Sequence, residues 1–402
     1  MKLLFVVSSL DLNQPFSATP AWWQLLKGLY EIGVEVVATP YQGPAIETLW
    51  WHAEPNPAKL QGDAFKFARD TARRLAPPLD ATNAPDADAD AESFSDRIVR
   101  QTANALIAPL WLSHLDRILR EQPDISAVIF LTIPLNHLVG VAKELQARHD
   151  KPVFYYDGDV PASLPDMHGF ASGFRIYQGA DVTEYAGFIS NSDGGGERLR
   201  KLGARTVHTL YYGADPDVFA PLPVEDQDVD FFFYGHGREY RGEWIDAMLV
   251  SPAKHMPEAK FAVRGKDLGV TDAVEQLPYL SFSRLREYAN RSKVNLCITR
   301  SAHASVPRSS SSRPFELASM GCCVVSNPYD GLETWFEPEK EIFIVNSTGE
   351  AVERYRYLLK HPRTRERVAL AARQRVLQSH TFRHRARQLV SIITEHVGTT
   401  YR

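Results

Sequence analysis

Apolar runs of strand length recur along this chain, and most are followed by a stretch with apolar residues at helical spacing. LLFVVS at 3–8 shows no polar alternation, which predicts a parallel strand buried on both faces. A polar loop, SLDLNQPFSATP, leads to the helical pattern AWWQLLKGLYEIG and a second strand, VEVVATPY. The order returns in AVIFLTIP, LNHLVGVAKELQARH and PVFYYDGDVP, then in AGFISNS, the glycine-rich start of a helix at DGGGE, and a further strand before Tyr211. PLPVEDQDVD is proline-rich, acidic and aperiodic, and reads as a linker over 221–229. DFFFYG restarts the pattern, so the chain divides into two doubly wound, Rossmann-like α/β domains, 1–220 and 230–402.

Length agrees with that division, since 402 residues suit two domains of about 200 each. A net charge of −4 supplies no general attraction to nucleic acid, so nucleic acid is not an expected partner. The arginine-rich segment 363–387 also carries glutamates and regular apolar positions, the mark of a solvated helix face. Three cysteines, two adjacent in an apolar run, fit neither a disulfide framework nor a zinc spacing. No stretch reaches the ~20 apolar residues of a membrane helix, and the short first run lacks the flanks of a signal peptide; a cytoplasmic protein is expected. APPLDATNAPDADADAE cannot bury much surface, which predicts a mobile loop over 77–92 before a helix from Ser93 to Arg120. Trp50 and Trp51 suit either core packing or stacking on a ligand, with packing favoured.

The densest chemistry lies in RSSSSRPFELASMGCCVVS, residues 308–326, which reads as loop, short helix and buried strand. Ser312 is the expected cap, Pro314 suits the first turn and Gly321 the end. A helix entered from such a loop presents unpaired N–H groups and a partial positive charge, which is an anion site. Arg313 adds a forked donor for phosphate oxygens, and Glu316 stands one turn in, placed for hydroxyl groups attached to them.

FELASMG followed by CCVVS resembles the end of the donor-site signature of retaining glycosyltransferases with the two-domain GT-B fold, the glycogen-synthase-like group. Glu316 and Gly321 keep that signature's spacing; the second glutamate, usual eight positions earlier, is replaced by Arg308. With SSRPFE, this is similar to a divergent branch known as spore-maturation-like glycosyltransferases. Gly213, Asp215, Phe219 and Pro221 stand where the group ends its first domain, and Arg241-Gly242 takes the place of a Lys-Gly pair. The resemblance implies two domains facing across a cleft, an acceptor held by the first, a nucleotide sugar held by the second, and a terminal helix returning to the first domain. It also implies retention of anomeric configuration.

Around that core, Gly235, Gly237, Arg238 and Arg241 form a glycine-rich turn with two guanidinium groups at a strand's carboxyl end, fit for a diphosphate. Arg264 and Lys266 follow the next strand, and Tyr279, Leu280 and Ser281 stand where the resemblance places the base. The expected donor ligands are Gly235, Gly237, Arg238, Arg241, Arg264, Lys266, Ser311, Ser312, Arg313, Pro314 and Phe315. Glu316, Asp157 and Asp159 are the candidate catalytic residues, the aspartates because a carboxylate at a strand's carboxyl end can orient or deprotonate an acceptor hydroxyl; His168 is a weaker candidate. No cofactor and no metal is expected, since arginines and a helix end can stabilise the leaving diphosphate, a UDP-sugar being the expected donor. Two alternatives remain open: a nucleotide-sugar epimerase, which needs no acceptor, and a non-catalytic nucleotide-sugar sensor.

Overall fold

The computed structural model describes residues 1–12, 21–61, 94–167, 176–235, 237, 241–270, 272–278 and 281–400. The expected mobile loop at 77–92, and His168, Arg238, Tyr279 and Leu280, lie outside the described residues.

Two parallel sheets organise the chain. The first holds β1 (Lys2–Ser9), β2 (Glu35–Gln42), β3 (His52–Ala53), β4 (Ile125–Leu131), β5 (Val153–Asp157), β6 (Gly187–Ser190) and β7 (Val207–Thr209), in the order β3-β2-β1-β4-β5-β6-β7. The second holds β8 (Val229–Tyr234), β9 (Phe261–Arg264), β10 (Val274–Leu277), β11 (Ser292–Cys297), β12 (Val324–Ser326) and β13 (Phe343–Ile344), in the order β10-β9-β8-β11-β12-β13.

Successive residues of the central strands feed opposite faces, which is why their sequences are apolar without alternation. Leu4 and Val6 join one core cluster of the first sheet, and Leu3, Phe5 and Val7 join the other. In the second sheet Phe231 and Phe233 face one cluster while Phe232 and Tyr234 face the other. Trp51 is buried and meets Trp22 edge-on, with Trp50 stacked on Trp23, so this aromatic pair is packing.

The helix expected over 135–149 is broken. A short 3-10 turn, Leu135–His137, ends before Gly140, whose φ of 88° only glycine adopts without strain, and the α-helix proper is Val141–His149. The last helix, Phe382–Thr400, packs against Ala21–Glu31: Phe382, Leu389 and Ile393 share a cluster with Phe5 and Trp22. That contact is close enough that a Cβ on Gly28 would lie 2.8 Å from the Phe382 carbonyl oxygen. Among the described residues no helix is long and apolar enough to cross a membrane.

Both sheets reverse their strand order once, at β1/β4 and at β8/β11. In open α/β sheets, ligands bind beyond the carboxyl ends of the strands at such a reversal.

Candidate active site

At the β8/β11 reversal two guanidinium groups converge. Arg241, 7% exposed, donates from Nε to the Ile298 carbonyl at 2.9 Å, just past β11. Arg313, 6% exposed, donates from Nη1 to the same carbonyl at 3.3 Å and lies over the rings of Phe233 and Tyr234. Its Nε is buried without a hydrogen-bond partner, and among the described residues no carboxylate oxygen lies within ion-pair distance of it.

Arg313 belongs to the helix Ser312–Ser319. The cap is Ser311 rather than the expected Ser312, and the Ser311 side chain makes no capping bond, so the amides of the first turn remain for an outside acceptor. Glu316, one turn in, is 1% exposed. Its Oε2 accepts from the Tyr234 hydroxyl at 3.2 Å, while Oε1 is buried without a partner. Burial pushes the Glu316 carboxyl up to about 7, against the pull of Arg313, Tyr234, Ser312 and Gln24. Gln24 comes from the first domain; its Oε1 accepts from the Asp215 amide and its Nε2 is left unpartnered.

Gly235 and Gly237 have a specific steric task. A Cβ on Gly235, where φ is 154°, would lie 3.0 Å from Arg313 Nη2, and one on Gly237 would lie 1.8 Å from the Asp267 carbonyl oxygen. The turn after β8 is thus pressed between Arg313 and the turn after β9, the Gly237 amide donating to the Lys266 carbonyl at 2.9 Å. Arg264 is buried at the end of β9, whereas the Lys266 side chain is exposed. Pro314 is buried in the first turn. Phe315 is no ligand: fully buried, it packs against Trp335, Phe336 and His380. Its place in the donor set is corrected to core packing, because the helix face it occupies points away from the first turn's open end.

The serine run divides in two. Ser309 and Ser310 are fully buried and pair with the first domain. Ser309 forms an antiparallel bridge to Ser192, the two hydroxyls 2.5 Å apart. Ser310 donates its amide to the Asn191 carbonyl at 3.0 Å, and its hydroxyl accepts from the Tyr212 amide at 2.9 Å. Arg308, with φ of 48°, reaches Asp193 at 2.9 Å. Only Ser311 and Ser312 are left at the crevice, both half-buried.

On the other wall the two aspartates separate. Asp157 is fully buried and accepts from the Ser163 and Tyr177 hydroxyls, both at 2.6 Å, and from the Asp159 amide at 2.9 Å. Burial raises it to about 6 even so. Its oxygens are engaged in holding the loop after β5, so its role there is positioning rather than acid–base work. Asp159 instead reaches the crevice: its Oδ1 accepts from Arg300 Nη2 of the second domain at 2.5 Å. It also lines a cavity of about 200 Å³ at the β1/β4 reversal, with Ser8, Trp22, Leu25, Leu131, Thr132, Tyr156, Gly158, Tyr212 and Phe382 among its walls.

Sequence reasoning missed several members. Arg300 and His303 follow β11, with Arg300 Nη2 3.4 Å from His303 Nε2. His303 is held far below the usual histidine range by burial and by Arg300 and Arg241. Arg300 was legible as a cation at the end of the apolar run VNLCITR; nothing local marks Tyr234, Gln24 or the Ile298 carbonyl. Glu31, Asp215 and Asp217 stand close enough to suggest a cation site, but Lys27 reaches all three, at 2.5, 2.7 and 3.1 Å, and Arg383 meets Glu31 and Asp217. Two side-chain cations, Lys27 and Arg383, already occupy the space among those carboxylates.

Residues 238–391 match the family model described as glycosyl transferase-like. A search of curated proteins finds no match to the sequence. Sucrose-phosphate synthase from Thermosynechococcus elongatus superposes with a TM-score of 0.66 at 14% identity, over 99% of this chain and 100% of that one. A glycosyltransferase from Rickettsia africae gives 0.57 at 11% identity, over 98% of each chain. The HepE protein of Anabaena, in complex with UDP-glucose, gives 0.58 at 14% identity, over 98% of this chain and 100% of that one. The chain has the GT-B fold, and the part of its second half over 238–391 is similar to the glycosyl transferase-like family.

Proposed function

We propose that this protein is a retaining, metal-independent glycosyltransferase of the spore-maturation-like branch, moving a sugar from a UDP-sugar to an acceptor hydroxyl. The observation that carries the reading is the convergence of Arg241 and Arg313 on one main-chain carbonyl, beside the uncapped first turn of Ser312–Ser319. Two cations held together by a neutral acceptor repel each other, and a diphosphate relieves that repulsion. The UDP-glucose in the Anabaena HepE complex supports uridine as the base. Three free, buried cysteines suit a reducing compartment, and we place the protein in the cytoplasm.

In the reaction the bond between the anomeric carbon and the diphosphate oxygen breaks, its electron pair leaving with UDP. The acceptor oxygen forms the new bond to the anomeric carbon, and its proton passes to a diphosphate oxygen. Arg241, Arg313 and the first-turn amides stabilise the charge growing on the leaving group, each charged hydrogen bond contributing ~1.5–3 kcal/mol. Arginines therefore supply what a divalent ion supplies elsewhere. Glu316, close to half-protonated near neutrality, can both accept from and donate to sugar or ribose hydroxyls. Arg300 orients Asp159 at the acceptor's entrance.

The test is a thermal-shift screen of nucleotide sugars followed by measurement of UDP release with and without acceptors. A ligand at 100 times its dissociation constant adds ~2.7 kcal/mol of stability. Stabilisation by UDP and UDP-sugars, with loss of transfer in Arg241→Ala and Glu316→Ala, is expected. Wild-type turnover by both variants, or the absence of any nucleotide effect, overturns the proposal.

A further inference from the structure

The glycine-rich helix start at DGGGE finds its use across the domain boundary. We infer that Asn191 is a positioning residue of the donor site: from the first domain, and together with the first turn of helix Asp193–Lys201, it fixes the loop out of which the Arg313 helix opens. The inference rests on the glycosyl-transfer reading above, which gives that helix its diphosphate. Three observations carry it.

The first is where helix Asp193–Lys201 sends its leading amides. The first N–H groups of a helix have no partner within it. The Gly195 amide is capped by Ser192 Oγ at 2.9 Å, while the two before it leave the domain. Asp193 donates to the Arg308 carbonyl at 3.3 Å and Gly194 to the Pro307 carbonyl at 3.0 Å. A Cβ on Gly194 would lie 3.0 Å from Pro307 Cδ and from Val306 Cγ1, so the glycine is what admits the loop this closely.

The second is the grip on Ser310. Its amide donates to the Asn191 carbonyl at 3.0 Å, and its carbonyl accepts from Asn191 Nδ2 at 3.0 Å. One fully buried residue thus holds both main-chain groups of Ser310, its carboxamide serving as a second peptide group. Asn191 Oδ1 is buried without a hydrogen-bond partner, a cost that an apolar side chain serving packing alone would not carry.

The third is what surrounds Ser310 along the chain. Upstream, the second domain holds the loop itself: the Tyr329 hydroxyl donates to the Ser309 carbonyl, and the Arg308 amide to the Asp330 carbonyl at 3.0 Å. Downstream, Ser311 makes no capping bond, and two residues separate Ser310 from Arg313. The direction in which the chain enters the helix is therefore set at Ser310. A displacement there reaches the first-turn amides and the Arg313 guanidinium with little slack, and binding groups misplaced by a fraction of an ångström lose much of their effect.

The experiment measures UDP binding to the full-length protein by calorimetry. Asn191→Ala and Gly194→Val, both in the first domain, are each expected to weaken UDP roughly tenfold or more. A covalent tie separates positioning from general damage. Ser192 and Ser309 form an antiparallel bridge with hydroxyls 2.5 Å apart, so Ser192→Cys with Ser309→Cys should crosslink on oxidation. The oxidised pair should bind UDP within about threefold of wild type. Asn191→Ala placed in that pair should recover to the same range when oxidised and lose affinity again when reduced, a comparison that also serves if Asn191→Ala alone fails to fold. Unchanged UDP affinity in either first-domain variant overturns the inference, as does a pair that does not crosslink or a crosslinked protein that binds UDP only after reduction. A loss in Asn191→Ala that the crosslink does not restore overturns it as well. Failure of the unaltered protein to bind UDP would instead overturn the glycosyl-transfer reading, so the two failures are distinct.

Discussion

In the amino-terminal half, Lys27 meets Asp215 at 2.7 Å and Asp157 takes three hydrogen bonds from the segment that follows β5. In the other half Arg313 carries a buried Nε with no partner, and Glu316 a buried Oε1 with none. These two acidic groups of one half are closed upon their partners, whereas Arg313 and Glu316 of the other converge without mutual satisfaction, with the unpartnered Gln24 Nε2 brought to them from the first domain. Since a buried unsatisfied group costs stability, the second arrangement persists only where something else uses it. The comparison teaches that buried charge near a cleft separates into a structural kind and a ligand-seeking kind by its partners, not by its residue type.

The sharpest way to break the comparison is to remove one member of a closed pair. Lys27→Met leaves the buried Asp215 carboxylate uncompensated, and should cost ~3–5 kcal/mol in urea unfolding with UDP affinity per folded molecule little changed. Asp157→Ala strands three donors and should cost ~3 kcal/mol by the same measurement. Arg313→Ala should behave inversely: UDP affinity by calorimetry falls roughly 10- to 150-fold, equivalent to ~1.5–3 kcal/mol, with unfolding free energy within about 1 kcal/mol of wild type. If Arg313→Ala unfolds the protein as readily as Lys27→Met does, the distinction between the halves collapses.

Smaller effects sharpen it. Ser310→Ala removes a hydroxyl that bonds Tyr212 and Asn191 across the domains and should cost ~1–2 kcal/mol, read as earlier unfolding in urea. Glu316→Gln tests the remaining orphan through pH. The unfolded chain releases this proton near pH 4.5 while the folded protein holds it to about 7, so the group's contribution to stability declines as pH rises between those values. Asp157 and Glu184, raised to about 6 and about 7, act in the same direction, so the readout is the difference between wild type and variant. The variant should show a shallower decline; an identical slope would place the Glu316 carboxyl in its ordinary range.

Much of the site was legible locally. Arg313, Glu316 and the helix opening after Ser311 follow from a serine loop meeting a proline-started helix, and Arg241 from a glycine turn after an apolar strand. The run of four serines was not legible as a division of labour. Ser309 and Ser310 face a polar seam from a segment more than a hundred residues earlier, and local spacing carries no information about that partner. Asp157 and Asp159 look alike in sequence, two residues apart in one loop, yet one is enclosed by Ser163 and Tyr177 and the other meets Arg300 from the far domain.

By itself the order of residues determined the strands, the succession of strand and helix that makes the sheets parallel and covered, and the cations and carboxylate at strand and helix ends. These depend on neighbours within a few positions, where periodicity and capping act. Tertiary structure alone decided which charges are closed and which remain open, and that a hollow forms beside Asp159 at the β1/β4 reversal. Those outcomes depend on which side chains meet across β1 and β4, across β8 and β11, and across the two domains, and such meetings are set by sheet order and domain docking rather than by spacing.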